Sequence, residues 1–171
     1  MSEYIIRPVR EEDAKRLAEI YAYYVENTAV SFEYTAPDEQ EFIRRIKETT
    51  KVYPYLVYEK DGLVLGYAYA GRYASRAAYD WTVSSSIYID KEHRCGGIGR
   101  ALYAELEDRL RAMGMKSIIA GIAYLEKEDE YLKNDSVYFH EKVGYERVAQ
   151  VKAAGKKFGR WFDLVFSQKM L

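Results

Sequence analysis

The chain has 171 residues, 49% of them hydrophobic, which suits a single domain over residues 1–171 with one large core. Lysine and arginine (26) balance aspartate and glutamate (27), so the formal charge is -1 and no basic field attracts a nucleic acid. One cysteine and two histidines exclude an intrachain disulfide and make a metal site unexpected. Without a signal peptide or a membrane-length apolar run, a cytoplasmic protein with no membrane partner is expected.

The first half of the chain is predicted to fold as strand, helix, helix and hairpin. EYIIRPV is typical of a strand ending near Pro8, and a helix follows whose apolar residues share one face: Ala14, Leu17, Ile20, Tyr21 and Tyr24. After the loop TAVSFEYTAP, a second helix starts at Pro37 and Asp38 and turns inward Phe42, Ile43 and Ile46. Two β-rich runs flank Asp61-Gly62, a dipeptide that favours a tight antiparallel turn.

The second half is predicted to complete a mixed sheet. AYDWTVSSSIYID is a strand, and RALYAELEDRLRAMG is an amphipathic helix that ends at Gly114 and has on one stripe Leu102, Leu106, Leu110 and Met113. KSIIAGIA indicates a buried strand, EKEDEYLKND a solvated loop, and DSVYFHEKVG a short helix capped by Asp135 or Ser136. Two strands around a turn from Gly155 to Gly159 close the chain. The order β-α-α-β-β-β-α-β-α-β-β predicts an α/β domain (α+β type).

The loop HRCGGIGR lies between the predicted fourth strand and third helix. A glycine-rich turn there directs backbone N–H groups outward at the helix N-terminus, where the helix dipole also favours an anion, so the loop predicts a phosphate site. Neither GxxxxGK[ST] nor GxGxxG after a first strand is present, which excludes the common nucleoside triphosphate and dinucleotide loops. The pattern that remains is Arg94-x-x-Gly97-x-Gly99.

This pattern and the element order resemble the GNAT superfamily of N-acetyltransferases over nearly the whole chain. AYDWTVSSSIYID, FHEKVGY and GKKFGRWFDLVFSQK are similar to its phosphinothricin acetyltransferase-like branch. The resemblance implies the GNAT fold, a mixed sheet of about seven strands with about four helices. It further implies acetyl-CoA as co-substrate and, as acceptor, the α-amino group of a small amino acid or analogue such as phosphinothricin, methionine sulfoximine or methionine sulfone. It also implies a homodimer, because the branch commonly pairs through its sheet and terminal strands.

The resemblance places acetyl-CoA along the fourth strand and the glycine loop. The implied residues are Ile87, Tyr88 and Ile89, then Arg94, Cys95, Gly96, Gly97, Ile98, Gly99 and Arg100, with Asn134 on the pantetheine arm. The two arginines are candidate phosphate partners, and a solvated loop edge explains them equally well. Cys95 is not expected to act as a nucleophile, because the family transfers acetyl directly and only His93 lies beside it as a base.

The resemblance makes His140 the acid or base, because it precedes Gly144 by four residues in HEKVG. The branch has a glutamate, its proposed general base, where this chain has Ser84, and a serine hydroxyl cannot replace a carboxylate as base. Three explanations stay open. Glu33 supplies the carboxylate, a water wire passes the proton through Ser84 and Ser86 to His140, or the chain is inactive; the first two together are favoured.

The acceptor is expected to meet Arg76, whose guanidinium suits a substrate carboxylate, with Arg72 as a second candidate. Further expected substrate contacts are Phe32, Glu33 and Tyr79. A free carboxylate on the acceptor favours an amino acid over the N-terminus of a peptide, which remains an alternative. The rival from another class is a catalytically silent acyl-CoA-binding module, for which Ser84 is the argument.

Overall fold

A computed structural model describes residues 3–171, which form one mixed seven-stranded sheet in the order β1-β2-β3-β4-β5-β7-β6. The strands are β1 (Tyr4–Pro8), β2 (Tyr55–Lys60), β3 (Leu63–Arg72), β4 (Thr82–Ile89), β5 (Ser117–Tyr124), β6 (Glu146–Lys157) and β7 (Arg160–Met170). The helices are α1 (Ala14–Asn27), α2 (Glu39–Thr50), α3 (Ile98–Ala112) and α4 (Asp135–Lys142). The predicted class and element order are confirmed. Within this part of the chain, no helix is long and apolar enough to cross a membrane.

Helices cover both faces of the sheet, each through the apolar stripe that its sequence predicts. Helices α1 and α2 share a core with the tyrosine-rich face of β2 and β3, whereas α3 and α4 pack against the opposite face. Leu102, Leu106 and Leu110 are fully buried on α3. Met113 was predicted to continue that stripe, but it is 39% exposed because it is the C-cap, beyond the last helical turn. The packing fixes α3 and α4 on the face that carries the candidate site.

The tight turns follow the residues that tolerate a left-handed backbone. Asp61 and Gly62 join β2 to β3 with φ values of 51° and 77°, as a type I′ turn requires. The last hairpin differs from the prediction, since its turn is Phe158-Gly159, with φ values of 51° and 73°. Gly155, expected to begin that turn, lies inside β6 and pairs with Phe162. The strand therefore extends further, and its last residues reach the loop between α1 and α2.

Two local predictions near α4 are corrected. The helix is not capped by Asp135 or Ser136; its N-cap is Asn134, whose carbonyl accepts the first helical hydrogen bond from Tyr138 at 3.2 Å. The acidic segment before it is not simply solvated, because Leu132 is 3% exposed and joins a small core with Ala29, Ala123 and Phe162. One apolar residue thus anchors a charged loop against the body of the domain.

The sheet opens at its centre. Strands β4 and β5 run parallel and pair only from Thr82 to Ser84, opposite Ser117 to Ile119. Beyond Ser84 the two strands separate, and the edge of β4 that faces β5 has no partner strand, so its backbone groups are free for a ligand. Helix α3 connects β4 to β5 and therefore begins at the open end of this gap.

Candidate active site

A small cavity of about 60 Å³ lies where β4 and β5 separate. Side chains from the strand, from α3 and from α4 meet around it, namely Ser85, Ser86, Tyr88, Tyr103, Ser136 and His140. Residues distant in sequence are thus brought together where the pairing of β4 with β5 ends. His140 lies beside the gap, and its role as acid or base stays a prediction.

His140 is a buried histidine whose two ring nitrogens have different partners. Its Nδ1 lies 2.6 Å from the carbonyl oxygen of Ser136, and a carbonyl only accepts, so Nδ1 carries the hydrogen. Its Nε2 then accepts from the hydroxyl of Tyr103 at 2.9 Å. Burial lowers the pKa of His140 below its ordinary 6.5. The ring is therefore neutral at pH 7, with its lone pair turned toward the gap.

Tyr103 continues this chain to β4. Its hydroxyl lies 3.3 Å from Ser85 Oγ, and burial raises the pKa of the tyrosine, so the hydroxyl keeps its proton. Ser85, Tyr103 and His140 form a hydrogen-bonded chain that lines the cavity. Sequence reasoning missed Tyr103 and Ser85. The available signal was a tyrosine next to the buried Leu102 of α3, because a buried phenol needs a polar partner.

Ser84 and Ser86 project to the other face of the sheet from Ser85, since side chains alternate along a strand. Ser84 meets β3 closely, so that a Cβ built on Gly71 would lie 3.0 Å from Ser84 Oγ. The direct hydrogen bonds to His140 therefore run through Tyr103 and Ser85 rather than through the two serines predicted. Ser86 also lines the cavity, and a water route from it to His140 stays a prediction.

Glu33 is held by partners on α1 and α2. Its carboxylate accepts two hydrogen bonds from Arg45, at 2.6 and 3.0 Å, and one from the hydroxyl of Tyr21 at 2.5 Å. Arg45 is the main reason that the pKa of Glu33 lies below its ordinary 4.5. A carboxylate stabilised in its charged form is a weaker base than a free one. The role of Glu33 as general base stays a prediction, and it requires the Arg45 pair to loosen.

The loop that carries Phe32 and Glu33 is fastened by the end of β6. A Cβ on Gly155 would lie 2.6 Å from the ring of Phe32, so only glycine allows the strand to pass so near. The hydroxyl of Tyr34 donates to the carbonyl of Lys156 at 2.5 Å. Strand β6 and the loop are therefore packed together over successive residues.

Lys157 completes this attachment. Its side chain is 5% exposed, and its Nζ donates to the carbonyls of Val25, Thr28 and Ser31 at 2.6, 2.8 and 2.8 Å. These acceptors include carbonyl groups near the C-terminus of α1, where the helix dipole also stabilises a positive charge. Burial lowers the pKa of Lys157. The three bonds tie the end of α1 to the loop, a contact that no local sequence pattern indicates.

The glycine loop leaves donors free at the start of α3. Gly97 is the N-cap with φ 80°, and the first helical bond joins Ala101 N to its carbonyl at 3.1 Å. The N–H groups of Ile98, Gly99 and Arg100 precede that bond and have no helical acceptor. A Cβ on Gly97 would meet no atom within 4 Å, so the space outside the loop is open. These donors fit an anionic group such as a pyrophosphate.

Other members of this loop have different surroundings. Gly99 is needed for packing, because a Cβ there would lie 2.9 Å from the ring of Phe139 on α4. The Arg94 guanidinium lies over the rings of Tyr23 and Tyr24, 5.7 and 5.9 Å from their centroids. Cys95 is exposed, with φ 71°, on the outside of the turn.

Residues 6–166 match the acetyltransferase (GNAT) domain family. The chain belongs to this family. It is 38% identical to a phosphinothricin N-acetyltransferase of Streptomyces viridochromogenes, over 96% of this chain and 86% of that protein. It is 33% identical to an L-methionine sulfoximine/L-methionine sulfone acetyltransferase of Salmonella typhimurium, over 97% and 94%. A phosphinothricin acetyltransferase from Sinorhizobium meliloti in complex with acetyl-CoA superposes with a TM-score of 0.89, at 36% identity, covering 100% of this chain and 89% of that one.

In this acetyltransferase the predicted acceptor residues Arg72, Arg76 and Tyr79 lie at the exposed end of β3 and on the loop that follows it. Arg72 forms an ion pair with Asp80 at 3.3 Å, and Tyr79 packs edge to face against Tyr73, with centroids 5.8 Å apart. Arg76 is exposed at the start of a short 3-10 turn. None of the three predicted residues lines the cavity in the strand gap. Their role toward the acceptor stays a prediction.

Asn134 has its polar atoms engaged within the acetyltransferase chain. Its Nδ2 donates to the carbonyl of Leu125 at 2.7 Å, and its Oδ1 accepts from the N–H of Leu125 at 3.3 Å. The residue is 3% exposed. These bonds join the start of α4 to the end of β5, and contact with a pantetheine arm, which stays a prediction, requires them to open.

Proposed function

We propose that this acetyltransferase moves the acetyl group of acetyl-CoA to the α-amino group of a small amino acid or analogue such as phosphinothricin, methionine sulfoximine or methionine sulfone. The names of its relatives support this acceptor class. The observation that carries the mechanism is the neutral His140, linked by Tyr103 to a cavity in the strand gap. A base at that place is what an amine acceptor requires.

The proposal assigns acetyl-CoA to the strand gap and the glycine loop. Bound there, it supplies the acetyl thioester. The free N–H groups at the start of α3, on Ile98, Gly99 and Arg100, are suited to its pyrophosphate, beside the turn made by Cys95, Gly96 and Gly97. Arg94 adds a positive charge at the start of this turn, and Ile87, Tyr88 and Ile89 offer backbone groups along the open edge of β4. In this proposal each of these residues contacts acetyl-CoA from the position that it already has in the fold.

The proposal gives proton handling to His140 and Tyr103. An amino acid reaches the site as an ammonium and must lose a proton before its nitrogen can attack. Nε2 of His140 takes that proton by way of the Tyr103 hydroxyl, which gives its own hydrogen to the ring and receives one from the side of Ser85. The imidazolium so formed is then an acid for the sulfur that leaves. The acceptor nitrogen loses two protons in all: the one held by His140 goes to the leaving sulfur, and the one lost from the nitrogen after attack goes to solvent, so the chain ends the cycle unchanged.

Ser84 takes part in no proton transfer in this scheme. Glu33 places a negative charge beside the acceptor. The carboxylate is 36% exposed even though Arg45 binds it, which leaves room for an incoming ammonium. A negative charge there favours the cationic acceptor before deprotonation. Glu33 thus contributes mainly by attraction, and acts as a base only where the acceptor displaces Arg45.

The proposal includes a cytoplasmic homodimer that pairs through the terminal strands. Support comes from β6, an edge strand whose residues are exposed over nearly its whole length. Val148, Val151 and Trp161 are 53%, 46% and 60% exposed on β6 and β7. Apolar side chains along a free strand edge suit pairing with a second copy.

The test is acetyl transfer itself. Purified protein is incubated with acetyl-CoA and a panel of phosphinothricin, methionine sulfoximine, methionine sulfone, free amino acids and a short peptide with a free N-terminus, while free thiol is followed. The proposal predicts release of free thiol with phosphinothricin, methionine sulfoximine or methionine sulfone, and little release with the peptide. Acetyl-CoA binding by calorimetry with no release above background for any acceptor would instead support a silent acyl-CoA-binding module.

A further inference from the structure

A second and larger cavity, of about 230 Å³, lies between α2 and the sheet. We call it the tyrosine cavity, because Phe42 and five tyrosines line it: Tyr21, Tyr55, Tyr67, Tyr69 and Tyr88. The rings form continuous walls, with Tyr55 stacked on Tyr69 at 4.7 Å and Phe42 edge-on to Tyr67 at 6.3 Å. Neither the strand-gap chemistry nor the glycine loop accounts for this space.

Two of these tyrosines have hydroxyl groups with no hydrogen-bond partner among the described residues. Tyr55 and Tyr67 are 4% and 1% exposed, and neither hydroxyl forms a hydrogen bond within residues 3–171. These two hydroxyl oxygens are not among the fully enclosed unpaired atoms of residues 3–171, so they remain open to the cavity, where a ligand or water can satisfy them. Both rings border the cavity. Its walls therefore offer hydrogen bonds to whatever fills it.

The charged groups at the cavity are already neutralised. Arg45 is bound to Glu33 at 2.6 Å, and Arg44 to Glu41 at 2.6 Å. Glu48 is bound to Lys51 at 2.7 Å. Each charged side chain of the lining thus already has an ion-pair partner, so the lining favours a neutral side chain with an aromatic body and a hydrogen-bonding end.

The tyrosine cavity is next to the place assigned to the acceptor. Ser86, beside the strand gap, pairs across the sheet with Tyr69, which pairs in turn with Tyr55. Strands are spaced by about 4.8 Å, so Ser86 and Tyr55 are about 10 Å apart, comparable with the length of an amino acid that has a long side chain. Tyr88 lines both cavities. An acceptor nitrogen in the gap thus leaves its side chain directed along the sheet.

The volume of the tyrosine cavity also suits an aromatic side chain. A cavity of about 150 Å³ holds benzene when its walls are apolar, so 230 Å³ is ample for a substituted ring. We propose that the tyrosine cavity is a side-chain pocket for the acceptor, and that the acetyltransferase accepts amino acids with a neutral, hydroxyl-bearing aromatic side chain, represented by L-tyrosine. This inference rests on the proposed function and adds an acceptor class to it.

The test compares two acceptors in two variants. Thr49 lines the cavity from α2, so Thr49→Phe fills it, whereas Thr50→Phe alters the next, exposed residue that is absent from the lining. Filling the pocket should lower kcat/KM for L-tyrosine about tenfold or more, because the new ring occupies the space that the tyrosine side chain would take. In Thr49→Phe, kcat/KM for methionine sulfone should change less than about twofold. In Thr50→Phe, kcat/KM should be unchanged for both acceptors.

Tyr67→Phe tests the hydrogen bond. It should lower kcat/KM about fivefold for L-tyrosine and leave L-phenylalanine unchanged, as expected for one neutral hydrogen bond. Calorimetry with N-acetyl-L-tyrosine adds a readout independent of turnover, with binding lost in Thr49→Phe and kept in Thr50→Phe.

The outcomes separate the two claims. If methionine sulfone is acetylated but L-tyrosine is not, or if Thr49→Phe affects both acceptors equally, the cavity holds only water and the inference fails while the proposed function stands. If no acceptor is acetylated, the proposed function fails. N-acetyl-L-tyrosine binding then decides the pocket, because equal binding to Thr49→Phe and wild type would overturn it.

Discussion

Tyr103→Phe is the substitution that most directly tests the proton chain. It removes one oxygen and keeps the ring, which packs against Phe139 and Tyr145 with centroids 5.6 and 5.7 Å away. His140 Nε2 then loses its donor in a site where the histidine is 2% exposed. Leaving a buried acceptor unpaired costs about 1–3 kcal/mol of unfolding free energy. Proton transfer by a placed side chain contributes about 10²–10⁴ to rate, so kcat should fall at least about 100-fold.

The pH profile distinguishes catalysis from simple damage. The Tyr103 bond favours the neutral form of His140, so its loss should raise the pKa of the histidine and move the acid limb of kcat to higher pH. KM for acetyl-CoA should stay within about twofold, because the glycine loop is untouched. Stopped assays across pH 5 to 8 give both quantities.

Tyr145→Phe is a matched control. Tyr145 is also 2% exposed, but its hydroxyl has no hydrogen-bond partner within the described residues. Removing it breaks no bond, so turnover should be unchanged and stability equal or higher. The reasoning is refuted if Tyr103→Phe keeps kcat within about twofold of wild type with an unmoved acid limb, or if both variants lose activity alike.

Three further outcomes are expected. Glu33→Gln should lower turnover more than it weakens acetyl-CoA binding, as steady-state kinetics and calorimetry can show; unchanged kinetics would remove Glu33 from the mechanism. Lys157→Met should raise the acceptor KM and lower Tm, because three carbonyls lose their donor, while Lys156→Met on the adjacent residue should do neither. His140 has a lowered pKa in the folded state, so its contribution to the free energy of unfolding is complete above pH 6.5 and is lost as the pH falls below that value. Denaturant titrations at several pH values should therefore show a smaller loss of stability on acidification for His140→Asn than for wild type. An equal loss in the two proteins would contradict the assignment.

Much of the fold follows from patterns that local physics determines. The helical stripes of α1 and α3 were predicted because burial requires a period of 3.6 residues, and the Asp61-Gly62 turn because few residues accept positive φ. The final turn was misplaced because Gly155 suggests a turn in isolation. Its actual reason is the ring of Phe32, more than a hundred residues earlier in the chain, which no local pattern reveals.

The residues of the candidate site likewise fall into those with a local sequence motif and those brought together by tertiary packing. The glycine loop and His140 have motifs of their own, from which their roles were predicted. Tyr103 and Ser85 belong to the site only because α3 crosses the face of β4, and Lys157 only because β6 reaches the end of α1. The structure also modifies the interpretation of Glu33, since the Arg45 pair that lowers its pKa joins the loop after α1 to α2. Such contacts depend on tertiary packing, and a single sequence does not encode them locally.

The central claim is that this chain acetylates a small amino acid, and the most direct measurement is product analysis after incubation with acetyl-CoA and methionine sulfone. We predict the N-acetylated acceptor together with an equal amount of free coenzyme A thiol, both strongly reduced in Tyr103→Phe and unchanged in Tyr145→Phe. Acetyl-CoA bound to a folded protein, with neither product formed from any acceptor of the panel, would contradict the account.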